Sequence, residues 1–423
     1  MKKFIYLLLL TSLVSLFWLG WPVYDFYAHR GKLPLIPFGF IEIPTQSPES
    51  EKLADSYYQE AGKKGLKLLT EHKLAINAPA ISAAVAIDGQ TVWAGSSGWA
   101  DIENRLPAST ETLFRLGSTS KALTATGLAR LVDVNKIELD TSIAHYLSEL
   151  PNPEWQNITS RHLISHLSGL PHYGENTDKL GLYQTLSLSR QYDNVTDAIS
   201  VFDDSQLLFE PGSDFFYSSL GTVLLSSVMQ AAAETSYQDW MNKAVFSPLG
   251  MTSTQAEPQE NKPENLARFY WNNKGTSQEV KEWRKVNLSH RLAGGGFIST
   301  SSDLVKLGSG FLDSQFISRD TRQIFWTPQT LPDGSLTPHQ YALGWRIASK
   351  DLGEAIGEIT VVNHGGVSRG AQSWLMVIPE HNMAIAVNIN ANTEIFWDFG
   401  KVSMELAQLF ITQKLSKQPP LTH

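Results

Sequence analysis

Apolar residues are distributed along this 423-residue chain in distinct regimes. Lys2 and Lys3 precede Phe4-Ile5-Tyr6-Leu7-Leu8-Leu9-Leu10, and no further charge occurs before Asp25. A run of roughly 20 apolar residues is long enough to cross a bilayer core as a helix. It ends in Trp18-Leu19-Gly20-Trp21-Pro22, with interfacial aromatics and no small-x-small cleavage site. The pattern predicts a signal anchor over residues 1–24, with a cleaved signal peptide as the alternative. Either one leaves the two lysines in the cytoplasm and the bulk of the chain outside it, in the periplasm if the host is Gram-negative, or secreted if the segment is removed. Residues 25–49, with Pro34, Pro44 and Pro48 and no helical period, read as a linker from membrane to body.

The body spans residues 50–413, followed by a tail over 414–423. Leu53, Tyr57, Ala61, Leu66 and Leu69 recur mostly at three- and four-residue steps and predict a helix over about 50–73. Ile81 to Ile87 and Gln90 to Ala94 flank Asp88-Gly89, the signature of a tight hairpin. From about 118 to 290 the period is mainly helical, broken at Pro151, Pro153, Pro171, Pro211 and Pro263. Residues 257–285 are polar and charged and predict an exposed, mobile excursion. Strand character returns at Ile359–Asn363, Gln372–Ile378 and Met383–Asn388. Ile395, Phe399, Val402, Leu406 and Leu409 then mark a closing helix. Strands at both ends around a helical middle imply one mixed domain built from both termini, with a largely helical insertion.

Composition narrows the chemistry. The 34 basic and 42 acidic residues leave a net charge of −8, and no Lys/Arg-rich block is present, so nucleic acid is not an expected partner. The chain has no cysteine, which removes disulfides, thiolate nucleophiles, Cys-ligated metals and a lipidated N-terminal Cys.

In Gly117-Ser118-Thr119-Ser120-Lys121, Ser118 is the only serine with a lysine three positions later, and Leu123, Leu128 and Leu131 follow at helical spacing. Positions i and i+3 share a helix face, so an amine stands beside the hydroxyl. A partly desolvated lysine can take a serine's proton and make it a nucleophile. Alone, the four-residue string is better explained as a helix-capping serine with an exposed lysine. Two further segments change that balance. Tyr217 lies in Tyr217-Ser218-Ser219, just before an apolar helical run, and His364-Gly365-Gly366 follows a β-branched strand.

Ser118, Lys121, Tyr217 and His364 together resemble the active-site set of the β-lactamase-related serine hydrolases. That family includes class C β-lactamases, D-Ala-D-Ala carboxypeptidases, related esterases and a mitochondrial serine β-lactamase-like protein. Phe114 to Ser118, Ile158 to Pro171, Ala293 to Leu304 and Tyr341 to Trp345 resemble its sequence blocks in the family's order, so the likeness covers about 75–390. It implies an α+β, β-lactamase/transpeptidase-like fold. A five-stranded antiparallel sheet is flanked by N- and C-terminal helices, with a helical subdomain beside it. It also implies acyl transfer through a Ser118 ester to water, needing no metal or cofactor. Lys121 and Tyr217 would share the proton work, and the Ser118 and Val367 N–H groups would form the oxyanion hole. His364, Gly365 and Gly366 would lie along the substrate on a strand edge, with the glycines keeping that edge clear.

Two departures from the class C pattern matter. Tyr217-Ser218-Ser219 stands where Tyr-x-Asn occurs, and His364-Gly365-Gly366 where Lys-Thr-Gly occurs. Both weaken recognition of a β-lactam's acylamino and carboxylate groups. A peptidase, carboxypeptidase or esterase acting on a small-molecule or peptide acyl substrate therefore ranks above a true β-lactamase. A non-catalytic penicillin-binding-like module is the other alternative. Gly366-Val367-Ser368-Arg369-Gly370 matches a nucleophile elbow, but a strand rather than a helix follows Ser368. His162 and His166 read as core or capping residues, and His172 and Tyr173 as candidates for the rim of the site.

Overall fold

A computed structural model describes residues 2–272, 277–393 and 396–416 of the chain. Helix α1, Lys2–Ala28, is exposed on all sides through Trp21 and is long and apolar enough to cross a membrane. The expected linker over 25–49 is irregular for much of its length but packs on the body at two places. Phe26, Ala28 and His29 are buried against the body, and Phe40–Glu42 (β1) is a strand. Glu49–Leu53 is also a strand (β2), so the helix expected from residue 50 begins later, as α2, Gln59–Ala75. Asp55 fixes that start by accepting the Tyr57 N–H at the turn before the helix.

Long strands follow at β3, Ala80–Ile87, and β4, Gln90–Asp101, joined at Asp88 and Gly89, both with positive φ, as the hairpin signal required. The short β5, Leu106–Pro107, and β6, Phe114–Arg115, lead into α3, Ser120–Asp133. The middle of the chain supplies α4, Ser160–Ser165, α5, Lys179–Ser187, α6, Ser219–Ala233, and α7, Tyr237–Met241. Short strands β7, Gln255–Ala256, β8, Tyr270–Trp271, β9, Glu279–Glu282, and β10, Phe297–Ser299, come next. Helices α8, Ser301–Leu312, and α9, Arg319–Trp326, precede β11, Arg346–Asp351, β12, Glu358–Ser368, β13, Ala371–Ile378, and β14, Met383–Ile389. Helix α10, Phe396–Ser416, closes the fold. Of the positions expected to mark it, Val402 and Leu406 are buried; Ile395, the Phe399 side chain and residues 417–423 lie outside the described residues.

The main sheet is antiparallel in the order β11-β12-β13-β14-β3-β4-β2, with β5 paired to β4. The five strands legible in the sequence are its contiguous centre, β12-β13-β14-β3-β4, and polar edge strands extend it on both sides. Alternation along β14 shows how two cores form on one sheet. Met383, Ile385, Val387 and Ile389 pack with α2 and α10, while Ala384 and Ala386 face the helical subdomain that holds α3 and α6.

The expected exposed, mobile excursion over 257–285 is tied down at several of its described residues, and 273–276 lie outside the described residues. Phe269, Tyr270, Val280 and Trp283 are buried, and β9 pairs with β1. Glu257, Lys262, Arg268, Glu282 and Arg284 form ion pairs, while Gln259, Glu260, Asn261 and Glu264 stay exposed. Arg115 Nε donates to Glu257 Oε2 at 2.6 Å and Nη2 to Oε1 at 2.8 Å, with both side chains almost wholly buried. Burial alone would raise the Glu257 carboxyl, but the Arg115 guanidinium outweighs it and holds the pKa below its ordinary value. Arg115 Nη1 also donates to Arg369 O at 2.8 Å. The strand that delivers Ser118 is thereby fastened to the β12–β13 turn.

Two stability predictions follow from these burials. Glu257→Gln leaves a buried guanidinium without its counter-charge and should cost about 3–5 kcal/mol in denaturant unfolding; a loss under about 0.5 kcal/mol, the level of an exposed pair, would refute the clamp. Lys73 is fully buried, its Nζ has no hydrogen-bond partner among the described residues, and burial lowers its pKa to about 8. A lowered lysine pKa destabilises the fold below about 8, and the penalty disappears as pH rises toward the ordinary value near 10.5. Lys73→Met should therefore stabilise at pH 7 by about 2 kcal/mol, at ~1.4 kcal/mol per pKa unit discounted for residual hydration. The gain over wild type should shrink as the pH approaches 10.5.

Candidate active site

The chain reaches Ser118 through a tight turn, Gly117–Thr119, that runs directly into α3. Gly117 has φ +52°, and a Cβ there would sit 2.5 Å from Val367 O, so only glycine allows this approach of turn to strand. Ser118 is half-buried at the base of a cleft, at a helix start whose first N–H groups lack intrahelical acceptors.

One turn on, Lys121 is completely buried. Its Nζ lies 3.3 Å from Ser118 Oγ, 2.9 Å from Ser219 Oγ and 2.8 Å from Gly294 O. Burial, with Arg346 and Arg291 adding repulsion and Tyr173 opposing them, brings its pKa down to about 7. A neutral amine donating to Ser219 and Gly294 keeps its lone pair for the third direction, toward the Ser118 hydroxyl. The arrangement can therefore pass a proton from serine to lysine near neutral pH.

Tyr217 precedes α6 and lines the same cleft as Ser118. Its ring packs 4.9 Å from the Lys121 amine and 4.2 Å from the His166 ring. Burial raises its phenol above the ordinary value, against pulls from Arg346 and Ser118, so the phenol stays protonated where the lysine is half ionised. His166 caps α4 in the left-handed conformation and its Nδ1 accepts the Ser218 N–H at 3.3 Å. His162 closes the capping box at the other end of that helix. Burial, then repulsion from the Lys121 ammonium, keeps His166 neutral.

His364 differs from its expected placement along the substrate. Its side chain is fully buried, Nε2 pairs with the Tyr341 hydroxyl at 2.9 Å and Nδ1 with Gly365 O at 2.9 Å. Burial holds it neutral, with Arg346 and Lys121 reinforcing that. The cause is strand alternation: at 364 the side chain points under the cleft, toward Tyr341, rather than into it. The two glycines also relieve crowding against the strand, and Gly365 lines the cleft. A Cβ on Gly366 would lie 2.0 Å from Leu116 O and 2.7 Å from Ser118 N, while one on Gly365 would strike Phe396 and Trp374. Gly366 thus lets the strand press against the nucleophile turn. Ser368 and Ala371 close the β12–β13 hairpin as a pair, so Val367, one step inward, turns its N–H away from β13. Pairing with β11 ends at Asn363, leaving that edge of β12 open beside Ser118.

The cleft encloses about 600 Å³. His172 and Tyr173 line it, and His172 Nδ1 accepts the Ser219 N–H at 3.2 Å. Burial brings the His172 pKa down to about 3, with Lys121 the next cause. Ser368 lines the cleft from a strand–turn–strand corner, without a helix behind it. Positive charge comes from residues that the sequence did not single out: Arg30, Arg291, Arg346 and Arg369. Ser219, Gly294 and Tyr341 were likewise not legible as site residues. Asp178, Asp203 and Asp204 converge elsewhere, and none of them lines the cleft.

Comparison with known proteins agrees with this architecture. The β-lactamase family model matches residues 66–398. The mouse mitochondrial serine β-lactamase-like protein LACTB is 30% identical over 405 residues, spanning 76% of this chain and 73% of its own. Penicillin-binding protein 4* of Bacillus subtilis is 25% identical, over 70% of this chain and 65% of its own. Among solved structures, the D-amino acid amidase of Ochrobactrum anthropi shares the fold at a TM-score of 0.67 and 22% identity, covering 85% of this chain and 100% of the amidase. The penicillin-binding protein homologue of Pyrococcus abyssi aligns at a TM-score of 0.65 and 24% identity, over 82% of this chain and 77% of its own. With its β-lactamase/transpeptidase-like fold, the chain belongs to the β-lactamase family of serine acyl-transfer hydrolases.

Proposed function

We propose that the protein is a membrane-anchored serine hydrolase of small-molecule or peptide esters and amides, of esterase or peptidase rather than β-lactamase type. Helix α1 would serve as a retained signal anchor, with the body outside the cytoplasm. One observation carries the reading: the Lys121 amine is buried, tethered by two acceptors, and aimed at the Ser118 hydroxyl at 3.3 Å.

In the proposed sequence Ser118 Oγ attacks the acyl carbon while its proton passes to Lys121 Nζ. The developing oxyanion is met by the N–H groups of Ser118 and Val367, each such donor being worth about 3 kcal/mol in a transition state. Tyr217, protonated across the working range, delivers a proton to the leaving group, and its phenolate is reprotonated by way of Lys121. Water then attacks the acyl-enzyme, giving up a proton to the same pair as the ester bond to Ser118 breaks. Two features argue for esters and simple amides over β-lactams. Position 219 turns its hydroxyl inward to the lysine, so no amide is offered to an acylamino group. His364 is buried and neutral, so the strand lysine of Lys-Thr-Gly has no counterpart here, and any cation for a substrate carboxylate must come from elsewhere in the cleft.

The full chain in detergent should be labelled by a fluorophosphonate on Ser118, and Ser118→Ala should abolish labelling. Lys121→Ala should slow it about 100- to 10,000-fold, the usual weight of a general base. Absence of an adduct with every acylating probe would leave only a binding module. The labelling rate should rise with pH through about 7 as Lys121 loses its proton, then stay level until the alkaline range where Tyr217 ionises. A rate that falls as pH rises through neutrality would reject the lysine as base. Turnover of p-nitrophenyl esters should exceed that of nitrocefin, and the reverse order would overturn the sub-class assignment.

A further inference from the structure

The C-terminal end of α1 is part of the cleft wall. Phe26 and Arg30 both line the cavity above Ser118. Their placement is fixed by contacts with the body. Asp25 Oδ2 meets Arg284 Nε at 2.5 Å, the His29 ring stacks on Trp283 at 4.5 Å, and Phe26 is buried with Leu188, Val286 and Leu288. The Arg369 guanidinium sits 4.7 Å over the Phe26 ring, and that of Arg30 5.3 Å from the same ring.

Arg30 joins a cluster of guanidiniums without counter-charges. Among the described residues, none of Arg30, Arg291, Arg346 and Arg369 pairs with a carboxylate, and Glu175, on the same cleft, is exposed. Arg291 is buried with its Nη2 unpartnered, and Nε of Arg346 and of Arg369 are buried and unpartnered as well. The charges feel one another: burial and then Arg291 and Arg30 depress Arg369, and Arg30 also acts on Arg291 and His172. Arg30 is itself exposed at the rim, but the buried, unpartnered N–H groups of the other three are costly, and an oxyanion accepting them relieves that cost.

The position of α1 locates this subsite. Trp21, the last of the interfacial aromatics, lies five residues before Phe26, which at 1.5 Å per residue is about 7–8 Å along the helix. The cleft mouth therefore opens beside the membrane surface. We infer that Phe26, on α1, and Arg30, two residues past its end, complete a substrate subsite that holds a carboxylate or phosphate group of an acyl substrate presented at the membrane surface. This inference rests on the hydrolase reading above and deepens it. Arg30 is a binding residue here, and the acyl transfer stays with Ser118.

The test uses the full chain in phosphatidylcholine nanodiscs with three p-nitrophenyl esters. One is the neutral butyrate and one the soluble anionic monoglutarate. The third is an anionic ester with a hexadecyl chain, partitioned into the disc. Wild type should favour the anionic esters, and Arg30→Gln should lower the anionic-to-neutral ratio of kcat/KM roughly tenfold, the loss expected for one charge-assisted hydrogen bond. Arg30→Lys should restore most of that ratio. Equal use of anionic and neutral esters by wild type, or a ratio indifferent to Arg30→Gln, would overturn the subsite. Faster turnover of the embedded ester than of the soluble one supports presentation at the membrane; the opposite order overturns that half and assigns the subsite to free anions. Fluorophosphonate labelling of Ser118, followed in each variant, separates these outcomes from failure of the hydrolase reading: a labelled but unselective enzyme sinks only the subsite.

Discussion

An amine held out of water governs this molecule. Lys121 has no solvent to stabilise its charged form, and what replaces solvent is one backbone carbonyl and one serine hydroxyl. That exchange is incomplete by design of the site: two acceptors hold the amine in place but do not hold its third proton firmly. The same desolvation that depresses the lysine elevates the tyrosine, so the two groups are separated in proton affinity by a shared cause. Neighbouring imidazoles, themselves buried, add no competing charge.

The requirement reaches far into the fold because the partners of Lys121 come from separate segments. The lysine belongs to α3, Ser219 to the start of α6, and Gly294 to the glycine-rich stretch before β10. A Cβ on Gly294 would come within 3.0 Å of Ser219 O, so close backbone packing sets the second acceptor. The sheet supplies the other half of the site, and Arg115 links the halves through Glu257 on one side and Arg369 O on the other. Position 366 completes the junction by bringing strand and nucleophile turn within touching distance.

How much could be read in advance depended on whether a residue's role was local. The five central strands carry β-branched alternation and were legible; β2 and β11, with sequences such as Glu-Ser-Glu-Lys-Leu, present polar edges whose only strand signal is the neighbour they pair with. Leu53 and Tyr57 continue the spacing of α2 backward by coincidence, which misplaced its start. The 257–285 region looked solvated because its charges were counted without their partners. Ser118, Lys121 and Tyr217 were accessible through helical spacing and motif. The inward turn of Ser219 depends on a contact across 98 residues, and the burial of His364 on a hydroxyl from the loop before β11. The cluster of arginines has no sequence signature at all, since its members arrive from the turn after α1, the loop before the glycine stretch, β11 and the β12–β13 turn.

The crowding at position 365 bears on how this scaffold could change its chemistry over time. Relatives of the class C type carry a threonine at the corresponding place, but here Phe396 and Trp374 already fill the volume such a side chain needs, the nearest atom standing 2.3 Å from where its Cβ would be. Acquiring that hydroxyl would demand that the tip of the Phe396 ring move aside or be cut back. A step from this site toward the class C pattern therefore carries a steric cost beside the chemical one.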